Sequence, residues 1–134
     1  MFVDKIAVLT ALDEMEPGRV HFLDRKTGKV LLFTVDDKAG LERMGKLLKS
    51  EPTRYTQVPK QEARENFVEL ETFVGNMVDP KFKEVLKRAL QSHRPFREFR
   101  DLIHNRPKEQ REWDTYHKKN LEARMATFLK SISL

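Results

Sequence analysis

The sequence predicts an α+β fold. A small antiparallel β-hairpin sheet, with a candidate third strand, packs with an N-terminal helix and a C-terminal bundle of about four helices. Three observations carry this. Two β-prone runs, Arg19 to Leu23 and Lys29 to Val35, flank the turn sequence Asp24-Arg25-Lys26-Thr27-Gly28. From Ala63 onward, apolar residues recur every three or four positions. Pro80, Pro95 and Pro107 each open a new segment of that helical pattern.

Taken in order, Ile6, Leu9 and Leu12 recur every third residue, with Val8 and Met15 beside them, so residues 3–15 read as a short amphipathic helix ended by Pro17-Gly18. In the hairpin turn, Asp24 can accept hydrogen bonds from the following N–H groups, and Gly28 can take the left-handed conformation. Asp36-Asp37 offers an N-cap for a helix carrying Leu41, Met44, Leu47 and Leu48 up to Ser50. Residues 54–58 alternate and supply the candidate third strand before Pro59. Ala63, Phe67, Leu70, Val74 and Met77 mark one face of a helix over about 61–77. The next helix, capped by Asp79, turns Phe82, Val85, Leu86, Ala89 and Leu90 inward. Pro95 opens a helix with Phe96, Phe99, Leu102 and Ile103, and Pro107 opens the last, with Trp113, Leu121, Met125, Phe128, Leu129 and Ile132 inward.

Composition narrows the class. The 134 residues are 39% apolar and 35% charged, against roughly 45–50% and about 25% in an ordinary soluble domain. The core should be modest and the surface ionic. The length suits a single domain over residues 1–134, with a hairpin-containing part at 1–59 and a helical part at 60–134. Nine Phe, one Trp and two Tyr are too many aromatics for a disordered chain. Without cysteine there are no disulfides, zinc ribbons, iron–sulfur ligands or thiol nucleophiles. Apolar runs such as Val30 to Phe33 fall far short of the about 20 residues that a spanning helix needs. The start lacks a basic stretch followed by an apolar one. A cytoplasmic protein with no membrane contact is the expectation.

The net charge of +5 is unevenly placed. Residues 1–50 hold 9 basic and 8 acidic side chains, whereas residues 81–111 hold 10 basic and 4 acidic. Such a local surplus attracts polyanions or acidic protein faces. On a helical wheel, Arg97, Arg100 and His104 form a ridge beside the apolar stripe of Phe96, Phe99 and Ile103. Arg94 precedes the ridge, and Lys108 and Arg111 follow it. Arginine can grip phosphates through paired hydrogen bonds. These six residues are the candidate anion-binding or nucleic-acid-binding site; Asp24, Thr27 and Gly28 are expected to shape the hairpin turn.

Other motifs dissolve on inspection. Gly40 to Lys46 has the spacing of a phosphate-binding loop, but Leu47 replaces the hydroxyl residue that would hold magnesium. His21, His93, His104 and His117 form no metal-ligand spacing. No metal site, cofactor or catalytic constellation is expected.

Four segments also resemble a known family. They are Phe22-Leu23-Asp24-Arg25-Lys26-Thr27-Gly28-Lys29-Val30, Arg54-Tyr55-Thr56-Gln57-Val58-Pro59, Arg94-Pro95-Phe96-Arg97-Glu98-Phe99-Arg100-Asp101 and Arg111-Glu112-Trp113-Asp114-Thr115-Tyr116. In this order and spacing they resemble the bacterial uncharacterised protein family 0158, from about residue 5 onward. The resemblance implies a small bacterial α+β protein and carries no activity.

Three functions compete. The first is a non-catalytic binding module that uses the basic helix face on nucleic-acid phosphates or an acidic protein. The second is a protein-interaction adaptor in which Phe2, Val3 and the outer face of the hairpin are covered by a partner or by a second copy in a homodimer. The third is an enzyme with a dispersed site drawn from Asp24, Arg97, Arg100 and His104.

Overall fold

The computed structural model describes residues 2–133. Its elements are α1 (Lys5–Leu12), β1 (Arg19–Asp24), β2 (Val30–Thr34), α2 (Lys38–Ser50), β3 (Tyr55–Gln57), α3 (Ala63–Gly75), α4 (Pro80–Leu90), α5 (Pro95–His104) and α6 (Pro107–Ser131). The fold is α+β. The chain forms two compact units: one holds the residues up to Gln61 together with those from Leu121 onward, and the other spans Glu62–Asn120.

The first unit is built on a three-stranded sheet of order β2-β1-β3, antiparallel throughout. The candidate third strand is thus real, and β1 is central. Register runs from Arg19 opposite Thr34 to Leu23 opposite Val30, and from Phe22 opposite Gln57 to Asp24 opposite Tyr55. Because side chains alternate across a strand, neighbouring β1 residues serve opposite faces. Leu23 joins Val8, Ala11, Leu12, Val58, Leu121 and Phe128 in one apolar cluster. Phe22 meets Phe33 edge-to-face at 6.0 Å on the other face, where Met44, Leu47 and Leu48 of α2 close over them.

The hairpin turn follows the sequence reading. Asp24 Oδ1 accepts from the N–H groups of Lys26 at 2.9 Å and Thr27 at 3.3 Å. Gly28 adopts φ +76°, and its carbonyl accepts from the N–H of Asp4 at 2.8 Å. Asp4 in turn caps α1 by accepting from Ala7 N–H, and Asp37 caps α2 by accepting from Gly40 N–H.

Helix α1 corrects the expected stripe. It covers residues 5–12 rather than 3–15, and its inward residues are Val8, Ala11 and Leu12. Ile6 is 79% exposed and Met15 is also exposed. The segment Lys-Ile-Ala-Val-Leu-Thr-Ala-Leu is apolar on nearly every side, so periodicity could not select a face. Packing against Leu23 and Val58 selected it.

The second unit is helical. Leu70, Phe73, Val74, Phe82, Leu86, Leu90, Phe99 and Ile103 form its core. Phe73, Phe99 and Trp113 meet pairwise, with ring centroids 5.1–6.2 Å apart and steeply inclined planes. Such edge-to-face pairs add about 0.5–1.5 kcal/mol each beyond burial. Phe73 was absent from the expected α3 face, and Ala63, which was on it, is exposed. Val85 is a second correction, being 42% exposed. It lies about 90° from the centre of the face defined by Phe82, Leu86, Ala89 and Leu90, at 100° per residue. Arg106 pins two helix starts here: its Nη2 lies 3.0 Å from Asp79, the N-cap of α4, and 3.0 Å from Glu109 in the first turn of α6. Its guanidinium also covers the Phe82 ring at 4.1 Å. Asp79 is held below the usual carboxylate range by the Phe82 N–H and the Arg106 guanidinium.

Candidate anion-binding face

Helix α5 positions the predicted ridge. Pro95 at its start fixes the first turn, while Phe99 and Ile103 anchor the inward side. Arg97, Arg100 and His104 are consequently turned outward, and all three are exposed. Arg94 occupies the N-cap position and supplies no side-chain cap. A guanidinium has donors only, so it cannot satisfy the first amides of the helix as Asp4, Asp37 and Asp79 do elsewhere.

Four of the six predicted residues line two open grooves. Arg94 and Arg97 line one of about 600 Å³, with Ser92 and His93, but Glu98 and Asp101 line it too. Its formal charges therefore balance. Arg97, 61% exposed, is 3.9 Å from Asp101, a solvated pair of little energetic weight. Lys108 and Arg111 line the other groove, of about 590 Å³, with Thr115, Tyr116 and Lys119 and a single acid, Glu112. Arg100 and His104 line neither groove. The positive balance that the sequence placed on α5 thus lies more cleanly on α6. Lys119 was missed, yet its signal was available: Lys108, Arg111, Thr115 and Lys119 are spaced 3, 4 and 4, one face of a helix.

Three other arginines show what an engaged cation looks like. Arg54 binds Asp24 and Glu51, Arg19 binds Glu14, and Arg25 donates to the Ile132 carbonyl. Arg94, Arg100, Lys108, Arg111 and Lys119 have no carboxylate partner among the described residues. Asp24, proposed for a dispersed active site, has both carboxylate oxygens engaged by Arg54. The hydroxyl-lacking loop at Gly40 to Lys46 lies within α2.

Two histidine–carboxylate pairs were not foreseen. His21 Nε2 lies 2.9 Å from Glu14 Oε1 in the first unit. In the second, Glu69 receives His117 Nδ1 at 2.8 Å and Asn120 Nδ2 at 2.7 Å, and the His117 ring stacks on Trp113. Glu69 is 48 residues from His117, so no local spacing announces the pair. Among the described residues, no group of three or more His, Cys, Asp or Glu is arranged to hold a metal ion, and no helix is long and apolar enough to cross a membrane.

Among the described residues, a three-stranded antiparallel sheet and six helices define a small α+β protein. The chain belongs to the uncharacterised protein family UPF0158, whose model matches residues 1–134. A UPF0158 protein of Pseudomonas aeruginosa is 29% identical over 121 residues, which is 90% of this chain and 76% of that relative. No solved structure matches the chain.

Proposed function

We propose that this protein is a non-catalytic binding module that holds nucleic-acid phosphates with the exposed cations of α5 and α6. One observation carries the reading. Lys108, Arg111 and Lys119 share one groove with only Glu112 to oppose them, whereas Arg19, Arg54 and Arg106 are each consumed by carboxylates. Arg94 and Arg100 extend the cationic surface on α5. Tyr116 lines the same groove, but its ring packs on Phe73 and Trp113, so the groove offers cations to a phosphate backbone rather than a free stacking platform.

Phosphate binding releases counterions, so the logarithm of affinity falls linearly with the logarithm of salt. The test is fluorescence anisotropy with generic single- and double-stranded DNA and RNA at two salt concentrations. Binding should weaken with salt. The triple variant Lys108→Glu, Arg111→Glu, Lys119→Glu should bind less tightly, with the salt slope shallower by about 2–3, since each phosphate contact contributes roughly 0.7–0.9. Absence of micromolar binding at low salt overturns the reading. Full binding by the triple variant moves the site off α6, and Arg94→Glu with Arg100→Glu then tests α5.

A further inference from the structure

Helix α2, in the first unit, carries a second set of uncommitted cations. At about 100° per residue, Lys38, Glu42, Gly45, Lys46 and Lys49 fall within about 100° of its circumference. All five are exposed. They lie on the side away from Met44, Leu47 and Leu48, which turn toward the sheet. From Lys38 to Lys49 the stripe runs about 16 Å along the helix axis.

Glu42 is the single acid on this face, one turn from both Lys38 and Lys46. None of the three lysines has a carboxylate partner among the described residues. Arg43, in contrast, is spent on the sheet, with its guanidinium 5.6 Å from the centre of the Phe33 ring.

Two features of the face work against the helix itself. Lys38 is its first residue, and no acid follows in the first turn. A cation therefore sits where the positive end of the helix dipole repels it. Gly45 is exposed and mid-helix, where alanine or any straight-chain side chain would hold the helix better. Nothing in the fold requires a glycine there, since an added Cβ meets nothing within 4 Å. Gly40 of the same helix does have a reason: its Cβ would fall 2.6 Å from the Asp37 carboxylate that caps the helix. Departures from local preference without internal compensation are expected at functional surfaces. Both departures fall on the stripe that carries the lysines.

Chemistry selects the occupant. The stripe has no large exposed apolar side chain, whereas protein interfaces are centred on aromatic or aliphatic anchors. A phosphate chain needs point charges and clearance. Lysine supplies the charges. The bare backbone at Gly45, between Lys38 and Lys49 along the axis, lets a sugar–phosphate strand lie close against the helix.

We propose that the outer face of α2 is a second contact surface for nucleic-acid phosphates, held by Lys38, Lys46 and Lys49 and opened by Gly45. It rests on the nucleic-acid reading of the α6 groove and adds a separate surface on the first unit.

The test uses the full chain and generic single- and double-stranded DNA and RNA, by fluorescence anisotropy over a salt series, beside thermal melts. The triple variant Lys38→Gln, Lys46→Gln, Lys49→Gln should bind less tightly. Its salt slope should be shallower by about 2–3, at roughly 0.7–0.9 per phosphate contact. Gly45→Gln keeps every charge and should melt above wild type. It should nevertheless bind about fivefold more weakly, because its side chain holds the strand away from the lysines and Coulomb attraction falls with distance. Lost affinity in a stabilised variant cannot be lost folding. Lys26→Gln with Lys29→Gln removes exposed charge from the hairpin turn and should leave the slope unchanged. If wild type binds no probe at low salt, the α6 reading and this proposal fall together. If the α6 triple variant is weakened while the α2 triple variant or Gly45→Gln binds as wild type does, this proposal alone is overturned. An equal loss per lysine in the hairpin control also overturns it, since total charge would then explain the effect.

Discussion

Arg54 closes on Asp24 through two parallel hydrogen bonds, Nε to Oδ1 and Nη2 to Oδ2, each 2.9 Å long. The two residues are 30 positions apart and belong to the loop before β3 and the end of β1. The same carboxylate caps the hairpin turn through Lys26 and Thr27. One side chain thus fixes the turn and joins it to the edge carrying the third strand. A paired fork of this kind is stronger than a single-point ion pair.

Replacing Asp24 by Asn should lower stability by about 3 kcal/mol, as expected when one partner of a sequestered ion pair is removed. Urea denaturation would measure it. The Arg54 hydrogen bonds hold the Asp24 carboxyl well below the usual carboxylate range, outweighing burial. A depressed folded value means the stabilisation is complete above the unfolded pKa, about 3.9, and is lost as pH falls toward the lower folded value. The variant should therefore show a shallower loss of stability on acidification than wild type.

Glu14 should behave the same way in a higher pH window. Burial pushes its carboxyl up, but hydrogen bonds from His21 and Arg19 outweigh this and lower it from 4.5 to about 2. Its contribution is complete above about pH 5 and fades between there and about pH 2. Glu14→Gln should flatten the melting temperature across that interval. An unchanged acid limb would show that the pair contributes nothing to folding.

Two glycines should respond to alanine in opposite directions. At Gly28, φ is +76° and an added Cβ would fall 1.9 Å from the Phe2 carbonyl oxygen. Gly28→Ala should destabilise by more than about 1 kcal/mol, because left-handed strain and a backbone clash combine. At Gly45, inside α2, an added Cβ meets nothing within 4 Å. Gly45→Ala should stabilise by about 0.5–1 kcal/mol. Thermal melts of the two variants side by side would test both.

Phe99 should be among the most sensitive core positions. It is 3% exposed and meets both Phe73 and Trp113. Phe99→Ala should cost about 3–5 kcal/mol. Trp113 is the single tryptophan, so the change in its emission would report repacking of this cluster directly.

Where local chemistry is decisive, the fold was legible. The hairpin could be read because Asp24 and Gly28 do their work within five residues. The starts of α2 and α4 could be read because Asp37 and Asp79 bond amides two or three positions away. The inward face of α1 could not, since an all-round apolar segment leaves the choice to its neighbours. Phe73 was likewise hidden, because its value comes from rings 26 and 40 positions later, on α5 and α6.

The candidate site shows the same division. Sequence alone located the basic surplus in residues 81–111 and turned the α5 cations outward, since helical period and the apolar stripe determine both. Only the folded chain decided which cations stay unpartnered. Arg106, from the same stretch, is drawn to Asp79, 27 residues away, whereas Lys108 and Arg111 share a groove with Lys119. Charge content is a property of the chain; whether a charge is spent inside the protein depends on distances of a few ångströms, and those exist only after folding.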